Sequence, residues 1–182
     1  SGLTYLKCDQ NQLASLNVTN CTNLSNLNCH QNQLSSLDVS TCTALRDLNC
    51  GSNSGITSFD VSNLSLLESL NLGSTSISSL DISSNTVLDD LFVSFNSNLT
   101  AINFGSIEKL EYIYSQYTRL NSIDVSAIDS LKELHVDQNY NITTLDVSQN
   151  LKLIKLGCSF NQITSLYLRN NTQLTDVDAR NN

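Results

Sequence analysis

One hydrophobic pattern recurs along the whole chain. Leu24, Leu27 and Cys29 are separated by polar residues and followed by Asn32; Leu34, Leu37 and Val39 then repeat the spacing and close on Ser40. Nine segments begin this way, at Leu3, Leu24, Leu45, Leu67, Leu88, Leu110, Leu131, Leu153 and Leu174, spaced 21 or 22 residues apart. Self-similarity at such a period marks stacked repeats. With the leading Leu of each copy as position 0, the apolar residues at positions 3 and 5 alternate with polar ones. That alternation predicts a short strand with one buried face. The extra residue of each 22-residue copy falls just after an Asn, as in Asn53-Ser54-Gly55-Ile56, Asn96-Ser97-Asn98-Leu99 and Asn139-Tyr140-Asn141-Ile142. Insertions confined to one point predict a loop on one edge of a stacked coil.

Position 8 is Asn in seven copies, the exceptions being Thr75 and Thr118. A carboxamide donates and accepts at once, so stacked copies can satisfy turn backbone groups that the coil buries, and Thr offers a shorter, weaker version of that service. The string L-x-x-L-x-C-x-x-N-x-L-x-x-L-D-V-S resembles the leucine-rich repeats of bacterial surface proteins. More narrowly, it is similar to the 21-residue, cysteine-bearing class of internalin-type and Bacteroidetes surface proteins, and the resemblance extends over all nine copies. It implies a leucine-rich repeat solenoid, a right-handed parallel β coil used for binding. The chain departs from the pattern where Leu72, Val93, Ser115, Val136 and Ala179 stand at position 5 in place of Cys.

The second half of each copy is too short and too strand-like for a full helix. The coil is therefore expected to be strand-rich, with little or no α-helix and weak curvature, its nine rungs spanning roughly 40 Å at about 4.8 Å per rung. Residues 1–182 read as a single repeat domain of eight full copies plus a partial ninth. The usual flanking caps are absent and the chain opens on Ser1-Gly2 without an initiator Met or signal peptide, so a segment of a longer protein is expected.

Composition narrows the function. Nine Lys and Arg against 17 Asp and Glu give a formal charge of -8, which argues against nucleic acid and against docking on an anionic membrane. No apolar run is long enough to span a bilayer, so no membrane insertion is expected in this segment. Cys8, Cys29, Cys50 and Cys158 sit at position 5, while Cys21 and Cys42 share one column of the second half. Side chains on adjacent rungs lie about 4.8 Å apart, farther than a disulfide prefers, so buried free thiols are expected. No C-x-x-C pair supports zinc. Asp38, Asp60, Asp81, Asp124 and Asp146 recur in the L-D-V-S segment, with Asn17 and Asn103 as uncharged substitutes. A calcium ladder would need the charge, so these residues are expected to cap turn amides or face water.

Positions 2, 4 and 6 point away from the core along the first strand. In copies two to four they are small and polar: Asn26, Asn28, His30, Asp47, Asn49, Gly51, Ser69, Asn71 and Gly73. In copies five to seven they become Asp90, Phe92, Ser94, Tyr112, Tyr114, Gln116, Glu133, His135 and Asp137. Phe95, Tyr117 and Phe160 at position 7, with Tyr140 in an insertion, either extend this patch or tuck under its edge. Contiguous exposed aromatics are costly unless used, and aromatic residues dominate binding hot spots. The alternative is a cross-strand ladder that only stabilises the sheet.

The candidate ligand-binding set is Asp90, Phe92, Tyr112, Tyr114, Glu133, His135 and Asp137. Alternate residues on a strand lie about 6.5 to 7 Å apart, too far for Glu133, His135 and Asp137 to converge on one ion unaided. Tyr114 and Asp90 are the expected neighbours of His135. Nucleophile-plus-base catalysis would need a Ser or Cys beside His135, every Cys is inward and no glycine-rich phosphate loop occurs, so neither catalysis nor a cofactor is expected. The sequence thus reads as a non-catalytic module binding a protein or glycan ligand, extracellular or at a bacterial cell surface by resemblance. The runner-up is a structural spacer that holds another domain away from the surface.

Overall fold

The computed structural model describes all 182 residues as a parallel β-solenoid without helix. The strands are β1 (Tyr5–Lys7), β2 (Asn26–Asn28), β3 (Asp47–Asn49), β4 (Ser69–Asn71), β5 (Ser79–Asp81), β6 (Asp90–Phe92), β7 (Ala101–Asn103), β8 (Tyr112–Tyr114), β9 (Glu133–His135), β10 (Lys155–Gly157) and β11 (Asp176–Asp178). Nine of them form one parallel sheet in the order β1-β2-β3-β4-β6-β8-β9-β10-β11. The second halves are turns and extended chain, and only β5 and β7 pair there. Register is residue for residue: Leu27 faces Leu48, Leu48 faces Leu70 and Leu91 faces Ile113. A slip of one residue would turn every buried Leu to solvent, so the alternating pattern fixes this register.

The interior is a single cluster of 41 buried apolar residues running through successive rungs. Each fully buried Leu contributes roughly 1.5–3 kcal/mol, which is why three-residue strands suffice when stacked. All six cysteines are free: Cys29, Cys42, Cys50 and Cys158 are buried, and Cys8 and Cys21 half-buried. Burial pushes the Cys158 thiol up to about 12, so it stays a neutral apolar filler.

The position-8 Asn residues form a ladder of carboxamides that serves the rung before. Asn53 Nδ2 donates to Cys50 O at 2.8 Å and to Cys29 O of the preceding copy at 3.1 Å. Its Oδ1 accepts the buried Leu34 N–H, also of the preceding copy, at 3.0 Å. Asn32 does the same for Cys8 O and Leu13 N–H. The two threonines are more than weaker substitutes. In copies three and five the insertion closes its own turn, Ile56 N–H donating to Asn53 O and Leu99 N–H to Asn96 O. The following copy then has no such amide to accept, and it carries Thr75 or Thr118. Each hydroxyl, with one proton to give, lies between two acceptors: Leu72 O and Asn96 Oδ1 for Thr75, Ser115 O and Asn139 Oδ1 for Thr118.

The recurring aspartates cap turns. Oδ1 of Asp38, Asp60, Asp81, Asp124 and Asp146 accepts the N–H of Ser40, Ser62, Ser83, Ser126 and Ser148, at 2.8–3.0 Å. Those serine contacts hold all five carboxyls below the usual range. Asn17 and Asn103 make the same turn without a charge, to Thr19 and Gly105 N–H. A second carboxamide column, which the sequence pattern did not single out, lies on the other side of the coil. Asn85, Asn150 and Asn171 each donate twice to carbonyls of the preceding copy, and share their column with Cys21 and Cys42.

Candidate binding surface

The long sheet brings the candidate residues together on adjacent rungs. Asp90, Tyr112 and Glu133 are paired neighbours in one row, followed by Lys155; Phe92, Tyr114 and His135 are neighbours in the next, followed by Gly157. The second row is a stack. Phe92 and Tyr114 rings lie 4.8 Å apart at 5°, and Tyr114 and His135 rings 4.9 Å apart at 6°. Rung spacing alone brings these rings to contact, and they form the cross-strand ladder that the sequence left as the alternative to a binding patch. Its members are half-buried.

Charges organise around this stack. Tyr114 OH donates to Glu133 Oε2 at 2.8 Å, and Lys155 Nζ lies 2.9 Å from Glu133 Oε1. Burial, then the Glu133 carboxylate, push the Tyr114 phenol up to about 12, so it remains a donor. Lys155 and Tyr114 outweigh burial and hold Glu133 below its ordinary value. His135 Nε2 lies 3.6 Å from Glu133 Oε2 and Nδ1 lies 3.9 Å from Asp137 Oδ2. The Asp137 carboxylate, then Glu133, raise the imidazole pKa against the opposing effect of burial. Burial pushes Asp137 up, but His135 together with the Ser159 hydroxyl and amide brings it down.

His135 is thus a plate stacked on Tyr114 with a carboxylate facing each nitrogen. Its neighbours are Tyr114, Glu133 and Asp137. Asp90 is not among them, since β6 is separated from β9 by β8. Asp90 sits instead beside Tyr112, its carboxyl raised by burial and by Asp89, Glu111 and Asp47. Gly157 explains how His135 and Asp137 fit. A Cβ there would lie 2.4 Å from Asp137 Oδ2 and 2.7 Å from His135 Nδ1. No group of His, Cys, Asp and Glu side chains has the geometry to hold a metal ion.

A second group of rings, more exposed than the stack, lies just past these strands. Phe95, Tyr117, Tyr140 and Phe160 are 58%, 44%, 55% and 39% exposed, forming a ridge along one edge of the sheet. They do not tuck under it. Phe95 and Tyr117 stack at 4.8 Å, Tyr140 OH donates to Gln138 Oε1, and Gln138 Nε2 donates to Tyr117 OH. All four have left-handed backbone, with φ of 63°, 54°, 64° and 53°. So does every other position-7 residue: Gln10, Gln31, Ser52, Ser74, Gln138 and Asn181. The sequence did carry a signal for this turn, because no position-7 residue is β-branched. Large aromatics tolerate this conformation poorly, and here they are also turned toward water.

No family model and no curated protein matches the chain, but solved structures do. The functional domain of InlJ from Listeria monocytogenes, described as including a cysteine ladder, is 30% identical with a TM-score of 0.81, covering 97% of this chain and 43% of that one. An internalin, InlF, from the same species is 26% identical with a TM-score of 0.74, covering 98% and 61%. A leucine-rich repeat protein of Leptospira interrogans shares the fold at 23% identity and a TM-score of 0.76, covering 98% and 55%. The chain therefore spans between two fifths and three fifths of the length of these proteins. No helix is long and apolar enough to cross a membrane.

Proposed function

We propose that this leucine-rich repeat solenoid, structurally similar to internalins, is a non-catalytic module that binds a protein or glycan ligand outside the cell or at a bacterial surface. The contact surface consists of the aromatic strand face around Asp90, Phe92, Tyr112, Tyr114, Glu133, His135 and Asp137, together with the ridge beside it. One observation carries this reading: Phe95, Tyr117 and Phe160 are exposed at left-handed positions where other copies place Gln, Ser or Asn, and Tyr140 stands exposed and left-handed in an insertion beside them. Folding gains little from such rings, so their place on the surface is best explained by what they touch. The stacked rings and paired charges beneath hold the surface rigid, which limits the entropy lost on binding. Burial of most thiols suits an oxidising exterior, where exposed ones would react.

The test presents glycans and surface proteins in an array to the native module and two variants. One is Phe92→Ala, Tyr112→Ala, Tyr114→Ala; the other is Tyr117→Asn, Phe160→Asn, which keeps a residue suited to left-handed backbone. A ligand held by the native form and lost by either folded variant supports the proposal. Equal binding by all three would place the site elsewhere, and an array with no ligand for the native form would favour the spacer.

A further inference from the structure

We infer that the polar strand face of copies two to four is a subsite for a neutral oligosaccharide, with the Phe92 ring as its stacking platform. The inference rests on the reading of this sheet face as a binding surface, and it assigns a ligand class to residues outside the aromatic patch.

The floor is built from a row of carboxamides. Oδ1 of Asn28, Asn49 and Asn71 accepts the N–H two residues on, from His30, Gly51 and Gly73, at 3.1, 3.2 and 2.9 Å. Each side chain is thereby fixed, while its Nδ2 makes no hydrogen bond within the protein and is left to donate. Beside them run Asn26, Asp47 and Ser69, the Asn26 amide donating to Asp47. Glycines keep the third row flat: a Cβ at Gly51 would come within 2.9 Å of Asn71 Oδ1 and 3.1 Å of His30 Nδ1.

At one end this floor meets an aromatic wall. Tyr114 covers one face of Phe92, and its neighbour on the other side is Asn71. Phe92 lines two adjoining depressions, of about 280 and 290 Å³, on either side of the Asn71 column. Phe95 joins the wall of the second, and exposed Tyr5 closes the far end of the first. The Tyr5 and Phe92 rungs are four spacings apart, roughly 19 Å, which suits a short chain of sugars better than a single one.

The chemistry selects the occupant. Fixed amide donors, a hydroxyl and a carboxylate facing an aromatic ring match the hydroxyls and C–H face of a pyranose. A peptide finds less here: Leu27 and Leu48 beneath the floor are buried, so no apolar pocket opens in it, and β2, β3 and β4 are each paired on both sides, leaving no free backbone edge along it. A sulfated or sialylated chain is disfavoured because neither depression is lined by Lys or Arg, while Asp47 is present and the chain carries -8.

The experiment displays neutral hexose and N-acetylhexosamine oligosaccharides of graded length beside sulfated and sialylated counterparts. Hits are titrated against the native module, Asn49→Asp with Asn71→Asp, and Phe92→Leu. The Asn→Asp pair keeps the oxygen that caps each turn and exchanges each amide donor for a charged acceptor, a charge that an uncharged sugar does not itself repel. Tyr167→Ser, on the opposite side of the coil, is the control. Neutral chains are expected to bind the native module and the control alike, and at least tenfold more weakly to both trough variants, with circular dichroism unchanged. Binding of charged glycans only, or of no glycan, overturns the inference. So does saccharide binding that survives the Asn→Asp pair but is lost in Tyr117→Asn, Phe160→Asn; that result would move the site to the ridge and leave the binding-module reading standing.

Discussion

Asn161 provides a test of the carboxamide ladder, because it stands where the ladder's own logic calls for Thr. Copy seven has an insertion, like copies three and five, but it is followed by Asn where those are followed by Thr. The Asn161 Nδ2 donates to Val136 O and Cys158 O, yet its buried Oδ1 accepts nothing. At Asn53 the same oxygen holds the buried Leu34 N–H. Changing Asn53 to Thr would strand that amide, at a cost of about 1–3 kcal/mol. Changing Asn161 to Thr strands much less. Val136 O keeps Asn139 Nδ2 at 2.8 Å, Cys158 O keeps Asn182 Nδ2 at 3.0 Å, and an unsatisfied oxygen disappears. Its effect should fall within about 1 kcal/mol of zero, the lost and relieved terms being of similar size. For a chain of this length the Asn53 variant should melt lower by roughly 2–4 °C per kcal/mol, and the Asn161 variant near the native temperature. Thermal and urea unfolding of the two variants side by side measures the difference. Equal losses at both sites would refute the account of why copies four and six carry Thr.

Two further outcomes follow from the charges and the thiols. His135 is raised in the folded chain, so its contribution is complete below about pH 6.5 and lost as pH rises through its folded value; Asp137 and Glu133 are lowered, so theirs is complete above about pH 4.5 and lost in acid. The cluster is therefore most stabilising between those limits, and His135→Gln should flatten the decline in melting temperature from pH 6.5 to 8; an unchanged decline would show that His135 is not its source. In the native protein a thiol reagent such as DTNB should reach only Cys8 and Cys21 on the mixing timescale, and all six thiols in denaturant. Rapid labelling of Cys29 or Cys50 without denaturant would contradict a closed core.

Much of this architecture is legible in the chain because repetition averages away local ambiguity. The buried rows at Leu27, Leu48 and Leu70, the turn-capping Asp38 and Asp60, and the Asn53 ladder each recur at one position in many copies. What could not be read belongs to single copies or to backbone angle. Gly157 looks like an ordinary glycine until His135 and Asp137 are seen leaning over it. The fate of Phe95 and Tyr117 was open because alternation says nothing about a left-handed residue, which swings its side chain outward just past the strand. Asn85, Asn150 and Asn171 were overlooked because Leu64, Ile107 and Ile128 hold the intervening rungs of their column. Proximity of Glu133 to His135 depends on rotamers that no spacing rule supplies.

The side-chain bonds of both carboxamide columns between copies run in one direction. Asn32 and Asn53 complete the turn of the copy before them, and so do Asn85, Asn150 and Asn171 in the second half. A rung thus carries open carbonyls and amides until its successor arrives. On the ribosome, where the chain emerges from its N-terminus at about 5–20 residues per second, each copy would wait one to a few seconds for the next to finish it. Such a coil closes behind itself like a zip fastener, and nascent chains stalled at successive lengths should gain protection always one repeat late.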